Sequence, residues 1–141
     1  AVCFQTDFFV SGSVYENLKM VNPLKTDEEI KSILKLVKAE EFLDLVEEGW
    51  NCNIGTLSKK FSGGEMKRIS LARTLMRDAD VYIFDESFSC IDTESRNRIF
   101  ANIVQYLSDK IVVVITHNDD LLNGYAVNRV IVRTNSAKRG E

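Results

Sequence analysis

Several features that would narrow the function are missing from this chain of 141 residues. No apolar run approaches the roughly 20 residues that cross a bilayer, and a net charge of −3 gives no reason to expect a nucleic-acid surface. The three cysteines lack the spacing of metal ligands, and their odd number favours a reducing compartment. None of the seven glycines precedes a lysine, so the Gly-Lys-Ser/Thr ending of a phosphate-cradling loop is absent. With 45% hydrophobic and 28% charged residues, the composition is that of one ordinary globular domain.

Three small residues, Ser62, Gly63 and Gly64, stand directly before a predicted helix. Apolar residues recur at helical spacing from Met66 to Met76. A serine at a helix start can cap it, and two glycines let a ligand approach the backbone closely. Free N–H groups at such a helix start favour phosphate. The alternative is a glycine turn before a surface helix.

A second candidate site follows a short apolar run at residues 81–84, which predicts a buried strand. The run ends in adjacent carboxylates, Asp85 and Glu86. Because ligands bind at the carboxyl ends of strands in open α/β sheets, one carboxylate could hold Mg²⁺ through water. The other could orient or deprotonate a water molecule. The alternative is a solvated acidic strand end.

Two further strands are predicted to end in polar residues. Residues 111–115 are an uninterrupted β-branched run, which indicates a strand buried on both faces, and His117 follows it closely. Residues 1–4 are apolar and precede Gln5. Taken alone, Gln5 could be a plain polar residue after a strand, and a lone histidine is more often structural than catalytic.

In this order and spacing, the motifs resemble those of the nucleotide-binding domain of ABC-type ATPases, in the exporter class. Each family motif has a counterpart here: Gln5 for the Q-loop, Ser62, Gly63 and Gly64 for the signature, Asp85 and Glu86 for Walker B, Asp92 for the D-loop, and His117 for the H-loop. Thr56 departs from the Gly-Glu pair that exporters often carry, and Phe61 and Glu65 are smaller departures, where the family usually has Leu and Gln.

The resemblance implies an α/β fold, a partial P-loop NTPase sheet with an attached α-helical subdomain. We expect the Q-loop strand at 1–12, the helical subdomain at 13–77, the remaining core at 78–134 and a polar tail at 135–141. The chain does not begin with Met, so we expect a piece of a longer protein that lacks its P-loop strand. That strand should lie beside residues 81–84 and leave them an open edge that recruits another chain.

Local patterns refine this expectation. Ser13 with Glu16, and Thr26 with Glu29, predict capping boxes at two helix starts. A short helix is predicted at 39–46, closed by Gly49. A long helix capped by Thr93, a short helix at 119–122 and a last strand at 130–132 should follow.

The resemblance also implies the chemistry, with ATP and Mg²⁺ as cofactors. Asp85, with Gln5, would hold Mg²⁺, Glu86 would be the catalytic base, and Gln5 and His117 would position water and the γ-phosphate. The signature residues would contact the γ-phosphate bound to an opposite subunit, and Asp92 would couple the two sites. The chain alone should be inactive without a P-loop.

The implied partners are ATP, a second nucleotide-binding domain in a head-to-tail dimer, and a transmembrane domain reached through the Q-loop and helical subdomain. Nucleic acid is not among them. The intact protein would use ATP hydrolysis for export at the cytoplasmic face of a membrane. Two rivals are a soluble ABC-type ATPase acting on DNA or ribosomes, and a non-catalytic helical interaction module.

Overall fold

The computed structural model describes residues 1–55 and 61–130, and within them one sheet of three strands lies against a set of helices. The strands are β1 (Val2–Cys3), β2 (Val81–Asp85) and β3 (Ile111–Ile115). The helices are α1 (Val14–Lys19), α2 (Asp27–Leu36), α3 (Glu40–Leu43), α4 (Gly63–Leu75) and α5 (Thr93–Tyr106), with 3-10 turns at Gly49–Asn51 and Asp119–Leu122. This is the predicted mixed α/β chain with a parallel sheet.

The sheet is parallel, with the order β1-β2-β3. Val2 is in register with Ile83, and Val81 with Ile111. Because the strands run in one direction, their carboxyl ends meet at one edge of the sheet. Gln5, Glu86 and His117 follow these three ends.

The predicted open edge on β2 is wrong. β2 pairs with β1 on one side and with β3 on the other, so both of its hydrogen-bonding edges are occupied. β2 therefore has no free edge for a further strand. It also needs no strand exchange with another chain to cover an edge. Among the described residues, the open edges of the sheet belong to β1 and β3.

The prediction that β3 is buried on both faces is also wrong. Ile111, Val113 and Ile115 are 62%, 40% and 50% exposed, whereas Val112 and Val114 pack against the core. Side chains of a strand point alternately to opposite faces, and the described residues cover only one face of β3. A continuous β-branched run fits this arrangement as well as full burial does.

The helices α1 to α4 lie between β1 and β2 in the chain, and hydrogen-bonded caps define three of their starts. Ser13 with Glu16, and Thr26 with Glu29, form the predicted capping boxes, and Ser62 with Glu65 forms a third. α4 packs against α1, α2 and β1. Each fully buried aliphatic side chain in this core, such as Leu18, stabilises the fold by about 1.5–3 kcal/mol.

Several predicted boundaries differ from the observed ones. The helix predicted at 39–46 is only the four residues of α3, and Gly49, with φ of +53°, begins a 3-10 turn. α5 is capped by Asp92 and not by Thr93, because the Asp92 carboxylate accepts from the Ser95 N–H at 2.9 Å. The 3-10 turn at Asp119–Leu122 confirms the short helix.

The strand predicted at 130–132 falls almost wholly outside the described residues, as does the polar tail at 135–141. Val130 itself is described, and it is irregular and 85% exposed. Thr56 also lies outside the described residues.

Candidate functional site

The strand ends bring together Glu86 and His117, which are 31 residues apart in the chain. The backbone N–H of His117 donates to Glu86 Oε1 at 3.0 Å, and Nδ1 of its ring lies 2.9 Å from the same oxygen. With its proton on Nδ1, the imidazole donates a second hydrogen bond to the carboxylate. The Glu86 side chain is 17% exposed and that of His117 is 80% exposed. The carboxylate is therefore fixed at one oxygen, while most of the ring faces solvent.

The backbone of Glu86 is held in an unusual conformation. Its φ is +47°, in the left-handed region, which costs a non-glycine residue about 1–3 kcal/mol. Its N–H donates to the carbonyl of Ile115 at 2.9 Å, so pairing with β3 helps to maintain this conformation. Such strained residues cluster at functional sites, and here the conformation turns the chain sharply after Asp85.

Asp85 presents oxygen donors at the same edge. Asp85 is half-buried, and its carboxylate makes no hydrogen bond to another described residue. No group of three or more His, Cys, Asp and Glu residues suited to a metal occurs within the described residues. Mg²⁺ needs no such cage, since it keeps several waters and takes one or two carboxylates together with substrate phosphates. Asp85 fits that form of binding.

Sequence reasoning missed Ser87, which connects two strand ends. Its side chain is fully buried, and its hydroxyl lies 3.0 Å from the carbonyl of Cys3 and 3.2 Å from that of Asp85. The contact with Cys3 spans 84 residues, so no local pattern could reveal it. Ser87 thereby ties the end of β2 to β1 beside the carboxylates.

The signature residues form the N-terminus of α4. The Ser62 hydroxyl accepts from the Glu65 N–H at 3.3 Å, and the Glu65 carboxylate accepts from the Ser62 N–H at 2.7 Å. Among the described residues, a Cβ on Gly63 would meet no atom within 4 Å, whereas a Cβ on Gly64 would lie 2.5 Å from the carbonyl oxygen of Cys90, in the D-loop segment before Asp92. Gly63 therefore leaves space for a ligand, and Gly64 allows α4 to contact the D-loop.

The carboxylate of Asp92, the predicted D-loop residue, contacts other residues of the same chain. Its carboxylate caps α5 and accepts from Arg68 Nη2 at 3.2 Å. Hydrogen bonds from the backbone and side chain of Ser95, and then the charge of Arg68, hold the pKa of Asp92 below its usual value. Arg68 also reaches the carbonyl of Lys38, at 3.4 Å. Sequence reasoning missed this link between the signature helix and the D-loop.

Lys67 was missed as well. It lies on α4 and is 2% exposed, with its ammonium among acceptors of residues 4–7. The only sequence signal was a lysine inside an apolar helical pattern. The contact places the signature helix directly against the backbone of Gln5.

The site residues thus form two groups on exposed surfaces. Gln5, Asp85, Glu86 and His117 lie at the carboxyl edge of the sheet, and the signature residues lie beside the D-loop. A cleft of about 630 Å³ lies elsewhere, between α2, α3 and the turn at Gly49–Asn51. Within the described part of the chain, no helix is long and apolar enough to cross a membrane.

Comparison with solved structures supports the fold. A bacterial Atm1-family ABC exporter with ATP bound superposes with a TM-score of 0.80 at 21% sequence identity, over 88% of this chain and 22% of that one.

Comparison with protein families and curated sequences identifies the family. The family model described as ABC transporter matches residues 1–89. The alpha-hemolysin translocation ATP-binding protein HlyB of Escherichia coli O157:H7 is 30% identical over 134 residues, which are 95% of this chain and 19% of that protein. The leukotoxin export ATP-binding protein LtxB of Aggregatibacter actinomycetemcomitans is 33% identical over 116 residues, 82% of this chain and 16% of that protein. The chain, which spans less than a fifth of the length of these relatives, belongs to the ABC transporter family.

Proposed function

We propose that this chain is part of an ATP-binding subunit of an ABC exporter, which uses ATP hydrolysis to move a substrate across a membrane. The observation that carries the proposal is the pairing of Glu86 with His117 at the sheet edge, next to the Asp85 carboxylate, which bonds to no other described residue. This arrangement supplies a fixed base and a hard oxygen ligand side by side. The names of the related export proteins support the same function.

Each strand-end residue has a chemical part in this proposal. Asp85 would hold Mg²⁺ through water, and the ion would neutralise charge on the phosphates. Glu86 would orient a water molecule and accept its proton, with His117 keeping the carboxylate in place. The exposed His117 ring and the Gln5 side chain would position the γ-phosphate and the water.

The signature residues would act on a second copy. The N–H groups at the start of α4, and the space that the described residues leave at Gly63, suit a phosphate oxygen. Two nucleotide-binding domains would close head to tail, so that Ser62, Gly63 and Gly64 of one contact the γ-phosphate held by the other. Asp92 would couple the two sites through its contact with Arg68 and α4.

The intact protein would work at the cytoplasmic face of a membrane. Its transmembrane domain would contact the segment after Gln5 and the helices α1 to α3. These helices belong to the same segment between β1 and β2 as α4, which carries the signature at its start.

Phosphate release from ATP tests this function. We expect the intact subunit to hydrolyse ATP only with Mg²⁺, and the 141-residue chain to hydrolyse none, because it has no loop to bind the β-phosphate. No release by the intact subunit would reject the proposal in favour of a non-catalytic interaction module. Release by the chain alone, if it survives purification and is abolished by Glu86→Gln, would reject the need for a P-loop.

A further inference from the structure

Lys67 is a buried cation whose hydrogen-bonding capacity is fully used. Its side chain is 3% exposed. Its Nζ donates to the carbonyls of Phe4 and Gln5 at 3.1 and 2.8 Å, and to Asp7 Oδ1 at 2.7 Å. An ammonium has three N–H donors, so each finds one acceptor.

All three acceptors lie in the four residues that follow β1, at the point where the chain leaves the sheet. β1 itself comprises only Val2 and Cys3, so strand pairing ends before Gln5. Residues 5 and 6 form a bend, and residues 7–10 have no regular structure. Gln5 is exposed. Lys67 therefore provides a fixed attachment for a segment that the sheet does not hold.

Simple packing does not explain a charged group at this position. A buried ion pair is usually no better for stability than well-packed apolar residues of similar size. An ammonium among three oriented acceptors does something an apolar side chain cannot, since it fixes the direction of two backbone carbonyls. One of these belongs to Gln5, whose side chain we place beside the attacking water.

We propose that Lys67 is a positioning residue that sets Gln5 relative to Glu86 and His117. It also joins Gln5 to α4, so that the Q-loop segment and the signature motif move as one body. This inference rests on the proposed ATPase function for its kinetic consequence. Its structural consequence, a fixed backbone at residues 4–7, can be measured without ATP.

The first experiment measures amide hydrogen exchange in the intact subunit. Lys67→Met keeps an unbranched side chain and removes the charge and donors, and we expect faster exchange at residues 5–7. The matched control is Lys25→Met, because Lys25 is also shielded, with 11% exposure, and pairs with Glu29 and Asp78 away from the site. Exchange at residues 5–7 that is equal in the two variants would overturn the proposal.

The second experiment is a double-mutant cycle on ATP hydrolysis, combining Lys67→Met with Gln5→Ala. We expect Lys67→Met to lower kcat about 10–100-fold with little change in KM. In the Gln5→Ala background the same substitution should have little further effect, because Lys67 acts through Gln5. Additive losses, or a kcat within about twofold of the wild type, would overturn the proposal.

A milder variant covers the case in which Lys67→Met does not fold. Asp7→Asn keeps an oxygen acceptor and both carbonyl contacts but removes the countercharge. We expect a smaller fall in kcat, again absent in the Gln5→Ala background, whereas additivity would count against the proposal. If the wild-type subunit hydrolyses no ATP, the proposed function fails, and hydrogen exchange alone decides the role of Lys67.

Discussion

At the scale of single residues, the carboxylate of Glu65 occupies the helix end where we place a phosphate. Its Oε2 accepts from the N–H and the hydroxyl of Ser62 at 2.7 and 2.9 Å. A negative side chain in the first turn stabilises a helix through its dipole. The same charge opposes an incoming anion, so folding and nucleotide contact favour different residues at this position.

Glu65→Gln should therefore have two effects of opposite sign. We expect the free energy of unfolding to fall by about 0.3–1 kcal/mol, while ATP-driven association of two intact subunits becomes tighter. Urea titration and sedimentation measure the two quantities. Glu29→Gln is the control, because Glu29 forms the same capping box with Thr26 at the start of α2. Glu29→Gln should lower the free energy of unfolding without changing the association of subunits. Weaker association of subunits that carry Glu65→Gln would contradict the assignment of the phosphate site.

How far single residues could be predicted depended on the reach of their contacts. Asp85 and Glu86 could be proposed because their setting, the end of an apolar run, is visible within a few residues. Ser87 and Lys67 could not, since their partners lie 84 and 60 or more residues away. Their hydrogen bonds exist only once β1, β2 and α4 are assembled.

At the scale of elements, the contact between α4 and the D-loop has no room for a side chain at Gly64. A Cβ there would lie 2.5 Å from the Cys90 carbonyl oxygen, so Gly64→Ala must push the two apart. We expect a loss of about 1–3 kcal/mol in the free energy of unfolding, as for other overpacked sites. Gly63→Ala is the control, because no atom of the described residues lies within 4 Å of a Cβ there, and it should be neutral or stabilising in urea titration. Equal effects would show that the close contact is unimportant.

The start of α5 is set by the Asp92 cap, and Arg68 from α4 also contacts the capping carboxylate. The sequence-based prediction for the cap is Thr93, although aspartate is preferred over threonine at this position of a helix. Asp92 is the cap in the structure, where Arg68 from α4 also reaches its carboxylate. Local patterns predicted this helix start to within one residue, whereas the helix predicted at 39–46 spans only Glu40–Leu43.

Asp92→Asn should reveal the contribution of the charge on this cap, which Ser95 and then Arg68 stabilise, through the pH dependence of the free energy of unfolding. The pKa of Asp92 is lowered in the folded chain, so its charge stabilises the fold above the usual carboxyl pKa of about 4. That contribution is lost as the pH falls through the lowered pKa. Because asparagine keeps the cap but not the charge, wild type should be more stable than the variant at pH 7 and equal to it in strong acid. Urea titration at a series of pH values measures this difference in the free energy of unfolding, with Glu94→Gln, an exposed site, as control. A difference between wild type and Asp92→Asn that does not change with pH would refute the prediction.

At the scale of the whole molecule, the order of the strands decides which residues meet. The fold class and the helical segment before β2 follow from local periodicity and from family motifs. The neighbours of β2 do not, because strand pairing joins residues about 80 positions apart, as Val2 and Ile83 show. The expectation of an open edge on β2 failed for this reason. With β1 and β3 on either side of β2, the three polar strand ends lie along one edge, and the Glu86–His117 pair can form.

The most direct test of the whole account is the single-turnover rate of ATP hydrolysis by the intact subunit carrying Glu86→Gln. The amide keeps the shape of the side chain and loses its basicity, so we predict a fall of about 10²–10⁴-fold in rate with ATP binding nearly unchanged. Glu94→Gln, which alters an exposed carboxylate on α5, should keep the wild-type rate. Near-normal turnover by Glu86→Gln would contradict the account, because the carboxylate that His117 holds would not then be the base.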